Sequence, residues 1–171
     1  MSIATIREAQ EKVAKSIAEN PERAAAKNLP ATARLLGELR CEVQGPNGES
    51  VRTDMPPAMG GGASAPSPGW LMRASIASCT ATAIAMRAAR LGIELTILEV
   101  TVESASDNRG LLGLDEGVSA GLTAITTRIR IAAQGVPADR LRELAGYGDA
   151  HSPMACTARE RPRYSLEVEV V

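Results

Sequence analysis

Four side chains in this 171-residue sequence offer thiol or imidazole chemistry: Cys41, Cys79, Cys156 and His151. Thiolates act as nucleophiles or redox groups, and three of them could bind zinc together with an imidazole. The sequence contains no CxxC or HxxxH spacing, and the four residues are scattered along the chain, so we expect no metal and no cofactor. A hydrolase would have to use His151, but the sequence has no GxSxG motif.

Each cysteine has a structural interpretation beside a chemical one. Cys41 is in phase with Leu39 and Val43 in a strand pattern, which favours a buried filler. Cys79 lies in "RASIASCTATAIA", where small side chains permit close approach by another segment or a ligand, although composition alone favours an inert buried thiol. Cys156 precedes three arginines, which would stabilise a thiolate or simply form a solvated turn: Arg159, Arg161 and Arg163. Cys79 and Cys156 could form an attacking and resolving pair if they met in space.

Composition narrows the classes of function. The formal net charge is -1 and the sequence has no basic stripe, so we expect no nucleic-acid partner. Three aromatic residues, with no Phe, are too few for base stacking. No segment is apolar enough to predict a membrane span, and the charged N-terminal sequence lacks the apolar centre of a signal peptide. We therefore predict a cytoplasmic protein, in which an odd number of cysteines does not indicate a disulfide framework.

Periodicity predicts a mixed chain with a helical extension over residues 1–30 and a main domain over 31–171. The extension has helical spacing up to Asn20-Pro21. A hairpin with the turn "GPNGES" then leads into an ordered Gly/Pro-rich loop at 56–69, in which "GGG" permits a close backbone approach. The further predicted elements are a buried helix over 70–92, strands within 94–104 and 122–133, a helix within 136–148 and a final strand over 163–171. This order predicts an α+β fold with helices packed on antiparallel sheets.

The segment "RTDMPPAMGGGASAPSPGWLMRASIASCTATAIAMRAARLGIEL" resembles the central part of the OsmC/Ohr family, the osmotically inducible and organic-hydroperoxide-resistance proteins. A Gly-rich stretch, a Pro-containing turn, a long helix with "ASC" and a second cysteine near the C-terminus carry this resemblance, over roughly residues 36–171. It implies an OsmC-like α+β fold over 31–171, with antiparallel sheets packed on two central helices in an intertwined homodimer.

The resemblance also implies thiol peroxidase chemistry. Cys79 would attack an organic hydroperoxide and become a sulfenic acid, and Cys156 would condense with it to a disulfide. A small or protein-bound dithiol reductant would then restore both thiols. An aliphatic pocket would suit alkyl or lipid hydroperoxides better than hydrogen peroxide.

Three features of the family pattern differ in this sequence. The family places a Glu ten residues before the first cysteine, and 79 − 10 gives Gly69. The family also uses an arginine to hold the thiolate, for which this sequence offers Arg40, Arg52 and Arg73 as candidates. The second motif, C-P-x-S, is "CTAR" at Cys156, whereas another alignment places Ser152-Pro153 at its C-P position.

Three functions therefore stay open at the level of sequence. The first is thiol-dependent hydroperoxide reduction through Cys79 and Cys156. The second, favoured by the missing carboxylate at Gly69, is a non-catalytic dimer that binds a small apolar or electrophilic ligand at its interface. The third is a structural or stress-related dimer in which Cys79 is small and buried.

Overall fold

The strands of this protein lie in two antiparallel sheets, in a computed structural model that describes residues 2–160 and 162–171. The α+β class predicted from the sequence is confirmed. The chain divides into two units: one runs up to Ile6 and resumes at Ile76, and the other is Arg7–Ser75. The two sheets belong to different units.

The unit Arg7–Ser75 contains a three-stranded sheet. Its strands are β1 (Thr32–Gly37), β2 (Arg40–Gln44) and β3 (Ser50–Thr53), in the order β1-β2-β3. The predicted hairpin around "GPNGES" corresponds to β2 and β3, and Gly45 closes its turn by donating to the Glu49 carbonyl over 2.9 Å. The additional strand β1 pairs with β2 through a tight turn at Glu38, whose φ of 53° is left-handed.

Asp54 organises the glycine-rich loop that follows β3. It is 1% exposed, and its carboxylate accepts hydrogen bonds from the Ser64 amide (2.9 Å), the Ser64 hydroxyl (2.7 Å) and the Met55 amide (2.7 Å). The Ser64 hydrogen bonds are the main cause that lowers the pKa of Asp54 to about 2. A Cβ at Gly61 would lie 2.0 Å from the Met55 carbonyl oxygen, so the predicted close backbone approach in an ordered loop is confirmed.

The long helix α2 (Pro68–Arg90) has a defined signal at each end. The Ser67 hydroxyl accepts from the Trp70 amide over 3.2 Å, and Pro68 occupies the first helical position. Gly92 has a φ of 68° and donates to the Ala89 carbonyl, while Ile93 donates to that of Ala88 over 2.9 Å. These two bonds form a Schellman motif, so α2 ends close to the predicted boundary.

In the other unit, the long helix α2 and a second helix pack on a two-stranded sheet. Strand β4 (Leu95–Ser106) leads through the one-turn helix α3 (Asn108–Leu111) to β5 (Leu122–Ala133), and the two strands pair antiparallel. Helix α4 (Ala138–Ala150) and helix α5 (Pro153–Arg159) follow. The core consists of Ile84 and Ala88 from α2 and Leu144 from α4, packed against aliphatic side chains of β4 and β5. This arrangement confirms the predicted sheet packed on two helices.

The two ends of the chain differ in how well the sequence predicted them. Helix α1 (Ile3–Glu19) confirms the predicted N-terminal helix. The final strand predicted over 163–171 is wrong for the single chain, because residues 162–171 form neither helix nor strand. An extended segment becomes a strand only when another strand accepts and donates its backbone hydrogen bonds. No helix among the described residues is long and apolar enough to cross a membrane.

Candidate active site

Helix α5 carries Cys156 in a position set by its own N-terminus. The buried Ser152 caps the helix, its hydroxyl accepting from the Ala155 amide over 3.4 Å, and Pro153 is the first helical residue. Cys156 is four residues after Ser152 and donates its amide to the Ser152 carbonyl over 2.9 Å. Residues at this spacing lie on one helix face, so the half-buried Cys156 stands one turn beyond Ser152 on the same face.

The Cys156 sulfur contacts a charged group that comes from the same short helix. Arg159 Nη2 donates to Cys156 Sγ over 3.5 Å and to the Asp149 carbonyl over 2.9 Å. Arg159 Nη1 donates to Asp149 Oδ2 over 2.8 Å, so the end of α4 holds the guanidinium in place. The hydrogen bond to Cys156 is the main cause that raises the pKa of Arg159 above its ordinary value. The thiol itself donates to the Ala150 carbonyl, with Sγ and O 3.2 Å apart.

Cys79 occupies the middle of α2. The helix buries Ile76, Thr80 and Ile84, which are spaced four residues apart and therefore lie along one face. Cys79 is half-buried and three residues after Ile76, so the two side chains are neighbours on the helix surface. Cys79 and Cys156 are both free thiols in this structure.

Both helices that carry these cysteines, α2 and α5, contribute residues to the lining of a groove of about 510 Å³. Its apolar walls include Ile76 of α2, Ile125 and Ile129 of β5, and Ala155 of α5. Asp149 and Arg159 supply its charged lining. Ile76 is one turn from Cys79, and Ala155 is adjacent to Cys156, but neither cysteine is itself among the residues that line the groove. We refer to this cavity as the α2–α5 groove.

The other candidates from the sequence lie elsewhere. Cys41 is half-buried in β2 opposite Thr53, where a small side chain fits between paired strands. His151 follows α4 and is exposed; its ring stacks on Tyr147 with centroids 3.8 Å apart. Arg87 covers the same Tyr147 ring at 4.3 Å, so a cation–aromatic stack joins α2 to α4. Among the described residues, no three His, Cys, Asp or Glu side chains form a group able to hold a metal ion.

The position that carries the family's Glu lies in the first turn of α2. A Cβ built on Gly69 would have an Arg73 guanidinium nitrogen 3.9 Å away and the Ser67 hydroxyl oxygen 4.0 Å away. Arg73 was one of three candidate arginines, and its guanidinium is thus the group nearest to the position of the missing carboxylate. A side chain at residue 69 could reach it without displacing backbone.

Two features of the candidate site are not predicted by the sequence. Asp149 was not singled out, although it lies ten residues before Arg159 at the predicted end of a helix. The sequence around Cys156 was ambiguous, because three arginines follow the cysteine and a turn would distribute them differently from a helix. Only the helical spacing of three residues brings Arg159, among the described arginines, to the sulfur.

Comparisons with known proteins agree with this architecture. A family model described as OsmC-like protein matches residues 60–167, which is more than half of the chain. The crystal structure of an OsmC-like protein from Mycoplasma pneumoniae is similar with a TM-score of 0.68 at 15% sequence identity, covering 80% of this chain and 91% of that chain. A search of curated proteins found no match.

Two further solved structures are named for organic hydroperoxide resistance. One, from Legionella pneumophila, has a TM-score of 0.60 at 21% identity and covers 79% of this chain and 91% of that chain. The other, OhrB of Bacillus subtilis, has a TM-score of 0.54 at 20% identity and covers 80% of this chain and 94% of that chain. These similarities establish a shared fold, and the family match extends from the glycine-rich loop to the C-terminal segment. The chain therefore belongs to the family of OsmC-like proteins.

Proposed function

We propose that this protein reduces organic hydroperoxides through a dithiol–disulfide cycle of Cys79 and Cys156. The observation that carries the proposal is that two free thiols, on α2 and α5, each lie within one turn of a residue lining the same groove. Relatives with this fold are named for organic hydroperoxide resistance. The family resemblance assigns the first attack to Cys79 and the resolving step to Cys156.

The cycle balances with an external dithiol as reductant. A thiolate attacks the terminal oxygen of R–O–OH, the O–O bond breaks, and the alkoxide leaves with its electron pair and takes up a proton. The sulfur has then lost two electrons and is a sulfenic acid. The second thiol attacks this sulfur, forming the disulfide and releasing water. A small or protein-bound dithiol finally reduces the disulfide by exchange and restores both thiols.

The groove favours substrates with an apolar body. Its walls are mainly isoleucine, alanine and threonine side chains, which gain from excluding water when an alkyl chain binds. Its volume of about 510 Å³ exceeds what hydrogen peroxide needs. Alkyl and lipid hydroperoxides are therefore the substrate class we propose.

The proposed assembly is a homodimer in the cytoplasm. Residues 162–171 alternate apolar and polar side chains, and the apolar ones are strongly exposed in the single chain: Tyr164, Leu166, Val168 and Val170. Such a segment can form its backbone hydrogen bonds by adding to a sheet edge of a second copy. Removing residues 162–171 should then convert the dimer to a monomer in light scattering, and an unchanged mass would contradict this part of the proposal.

A non-catalytic ligand-binding role is the second candidate. Gly69 favours it, because this chain lacks the carboxylate that family peroxidases place at the start of the helix. A binding protein of this kind would be stabilised by an apolar or electrophilic ligand without consuming hydroperoxide. The experiment below separates the two roles.

The test is a free-thiol count and an intact mass before and after one equivalent of cumene hydroperoxide. The wild type should lose two thiols and two hydrogens of mass within seconds, as a disulfide forms. Cys79→Ser and Cys156→Ser should form no intramolecular disulfide. The matched control is Cys41→Ser, which removes a half-buried thiol from a different sheet and should behave as the wild type. Unchanged thiols in the wild type would refute the enzymatic proposal and favour the binding role.

A fourth variant addresses the ambiguity of the second motif. Ser152→Cys combined with Cys156→Ser moves the thiol back by four residues, to the helix cap on the same face of α5. If position 152 lies within reach of Cys79, this double variant should recover disulfide formation that Cys156→Ser alone has lost. Failure to recover it would assign the resolving position to residue 156 alone.

A further inference from the structure

We infer that three exposed leucines at the end of the α2–α5 groove bind the far end of the substrate's alkyl chain and favour hydroperoxides whose chain is long and uncharged. The three residues are Leu111, Leu112 and Leu114, and we refer to them as the leucine cluster. This inference rests on the hydroperoxide reduction proposed above and concerns the substrates that this reaction takes.

The leucine cluster is exposed in the segment that joins β4 to β5. Its residues are 55%, 54% and 71% exposed, although they lie within four consecutive positions of the chain. Single exposed leucines are ordinary on protein surfaces, whereas a contiguous group of them indicates a surface that binds an apolar partner. The position of the cluster in the fold identifies this partner.

Polar contacts hold the cluster in a fixed arrangement. Asp107 caps α3 by accepting from the Arg109 amide over 3.0 Å. The Arg109 guanidinium pairs with Asp107 over 2.6 Å and with Asp115 over 3.7 Å. Leu114 donates its amide to the Arg109 carbonyl over 2.9 Å, which closes the turn after α3. A ligand that binds to the cluster therefore has little of this backbone left to order.

The cluster lies at one end of the groove. Strand β5 lines the groove from its first residue, Leu122, which pairs with Ser106 at the end of β4. Helix α3 begins two residues after Ser106 and contacts the chain that leads into β5, since a Cβ on Gly110 would be 2.4 Å from the Ser119 carbonyl oxygen. The three residues from Ser119 to Leu122 span at most about 11 Å. An alkyl chain that leaves the groove past Leu122 therefore comes within reach of the cluster.

The lining of the groove determines the direction in which a substrate lies. Asp149 and Arg159 supply its charged groups and pair with each other where α4 meets α5, whereas the wall from β5 is uncharged. A polar O–OH group gains hydrogen bonds at the charged part, and an alkyl tail gains by leaving water along β5. At the other end of this wall, Ile129 packs against the core. The open direction for the tail is therefore toward Leu122 and the cluster.

The charges around the cluster disfavour a chain that ends in a carboxylate. The segment 107–121 contains three carboxylates and one guanidinium, namely Asp107, Asp115, Glu116 and Arg109. Both aspartates already pair with this guanidinium. A second anion among the leucines would lose hydration and meet a net negative charge, whereas a methyl end meets neither cost. The cluster should therefore favour alkyl hydroperoxides over chains of the same length that carry a far-end carboxylate.

The first test measures the rate of hydroperoxide reduction as a function of chain length in the full-length protein. The substrates are n-butyl, n-hexyl and n-decyl hydroperoxide. A serine variant carries Leu111→Ser, Leu112→Ser and Leu114→Ser together, and the matched control carries methionine at the same three positions. Leu114→Ser alone gives the same comparison if urea unfolding shows that the serine variant does not fold.

We expect kcat/KM of the wild type to increase with chain length, because each buried methylene contributes up to about fourfold to binding. In the serine variant, kcat/KM for n-decyl hydroperoxide should be about tenfold lower, and the loss should appear in KM because the cluster contacts no reacting atom. The value for n-butyl hydroperoxide should stay within about twofold. The methionine variant should match the wild type, since methionine is apolar and similar in size to leucine.

Two further measurements test the charge and the site itself. The wild type should reduce 10-hydroperoxydecanoate, whose carboxylate lies at the far end, about tenfold more slowly than n-decyl hydroperoxide. The product alcohol 1-decanol needs no turnover, and titration calorimetry should show saturable binding to the wild type and about tenfold weaker binding to the serine variant. Light scattering gives the mass of each variant.

Each outcome has one meaning. A serine variant that reduces n-decyl hydroperoxide at the wild-type rate overturns the inference but leaves the proposed hydroperoxide reduction standing. Equal rates for n-decyl hydroperoxide and 10-hydroperoxydecanoate overturn the selection against charge. A serine variant of smaller mass shows that the cluster joins two copies of the chain, which also overturns the inference.

A wild type that consumes no hydroperoxide refutes the proposed function, and the 1-decanol titration then decides the inference separately. Binding that the serine variant loses supports the cluster as a site for an alkyl chain. Absence of binding to the wild type overturns it.

Discussion

Gly148 lies where α4 crosses α2 too closely for any side chain, and replacing it tests how the core positions the site. A Cβ at residue 148 would be 2.2 Å from Ile84 Cγ1 and 2.9 Å from both the backbone nitrogen and Cα of Ile84. The first contact could be relieved by rotating the isoleucine side chain. The other two involve backbone, so α4 itself would have to move away from α2.

The expected effect of Gly148→Ala is a loss of stability. Overpacking a core contact costs about 1–3 kcal/mol, and replacing a helical glycine by alanine returns about 0.5–1 kcal/mol. The net loss should be about 1–2 kcal/mol, or a decrease of about 3–6 °C in Tm for a chain of this size. Because Asp149 follows Gly148 directly, the same displacement should also weaken the ion pair between Asp149 and Arg159.

The assay is urea unfolding followed by circular dichroism, at one fixed protein concentration. Gly146→Ala is the matched control on the same helix, because nothing lies within 4 Å of the Cβ it would add. It should stabilise the protein by about 0.5–1 kcal/mol. In an Ile84→Ala background, Gly148→Ala should still destabilise, because the backbone atoms of residue 84 remain. Equal stability of the Gly146 and Gly148 variants, or complete rescue by Ile84→Ala, would refute the reasoning.

Three further predictions concern other parts of the chain. Asp54 has a pKa of about 2, below its ordinary value, so its contribution to stability should be complete above pH 4 and disappear as the pH falls toward 2. In urea unfolding, Asp54→Asn should be less stable than the wild type at pH 7 and should lose this part of the dependence of stability on pH. Gly69→Glu should raise Tm, because the free energy of unfolding should increase by about 0.5–1 kcal/mol for replacing glycine and by about 0.2–0.5 kcal/mol for an i,i+4 pair with Arg73. Comparing Gly69→Glu with Gly69→Gln at low and high salt isolates the contribution of the charge. The Thr80 hydroxyl is buried without a hydrogen-bond partner among the described residues, so Thr80→Val should leave Tm unchanged or raise it. A decrease of more than about 1 kcal/mol in the free energy of unfolding would contradict the view that this hydroxyl makes no hydrogen bond.

The elements predicted most accurately are those that neighbouring residues in the sequence determine. Helix α2 is predicted over 70–92 and spans Pro68–Arg90, because its run of small and apolar residues and its end at Gly92 are both local signals. The sequence predicts a helix buried all round, whereas in the single chain α2 buries one face and leaves Met72 and Met86 exposed. Strand β5 was predicted from strict alternation between isoleucine and polar side chains. Neither prediction needed knowledge of distant residues.

The failures involve partners that are distant in sequence. Strand β1 contains adjacent Leu35 and Leu36, which break the period of two, and it becomes a strand by pairing with β2. Asp54 would be expected at the surface because an isolated buried carboxylate is costly. It is buried because Ser64, ten residues later, returns to donate two hydrogen bonds. No local sequence pattern predicts that Ser64 will return to Asp54 and donate these hydrogen bonds.

The site shows the same division between local pattern and tertiary contact. The two thiols of the proposed cycle are equivalent in its stoichiometry, so the stoichiometry does not say which sulfur attacks first. The family resemblance selects Cys79 from its place in a motif, but Gly69 supplies no carboxylate to the network that would activate it. Cys156 has an arginine at hydrogen-bond distance, held by an aspartate from the preceding helix. The motif therefore identifies Cys79 from local sequence, whereas the contact between Arg159 and Cys156 depends on how α5 follows α4, which no local pattern predicts.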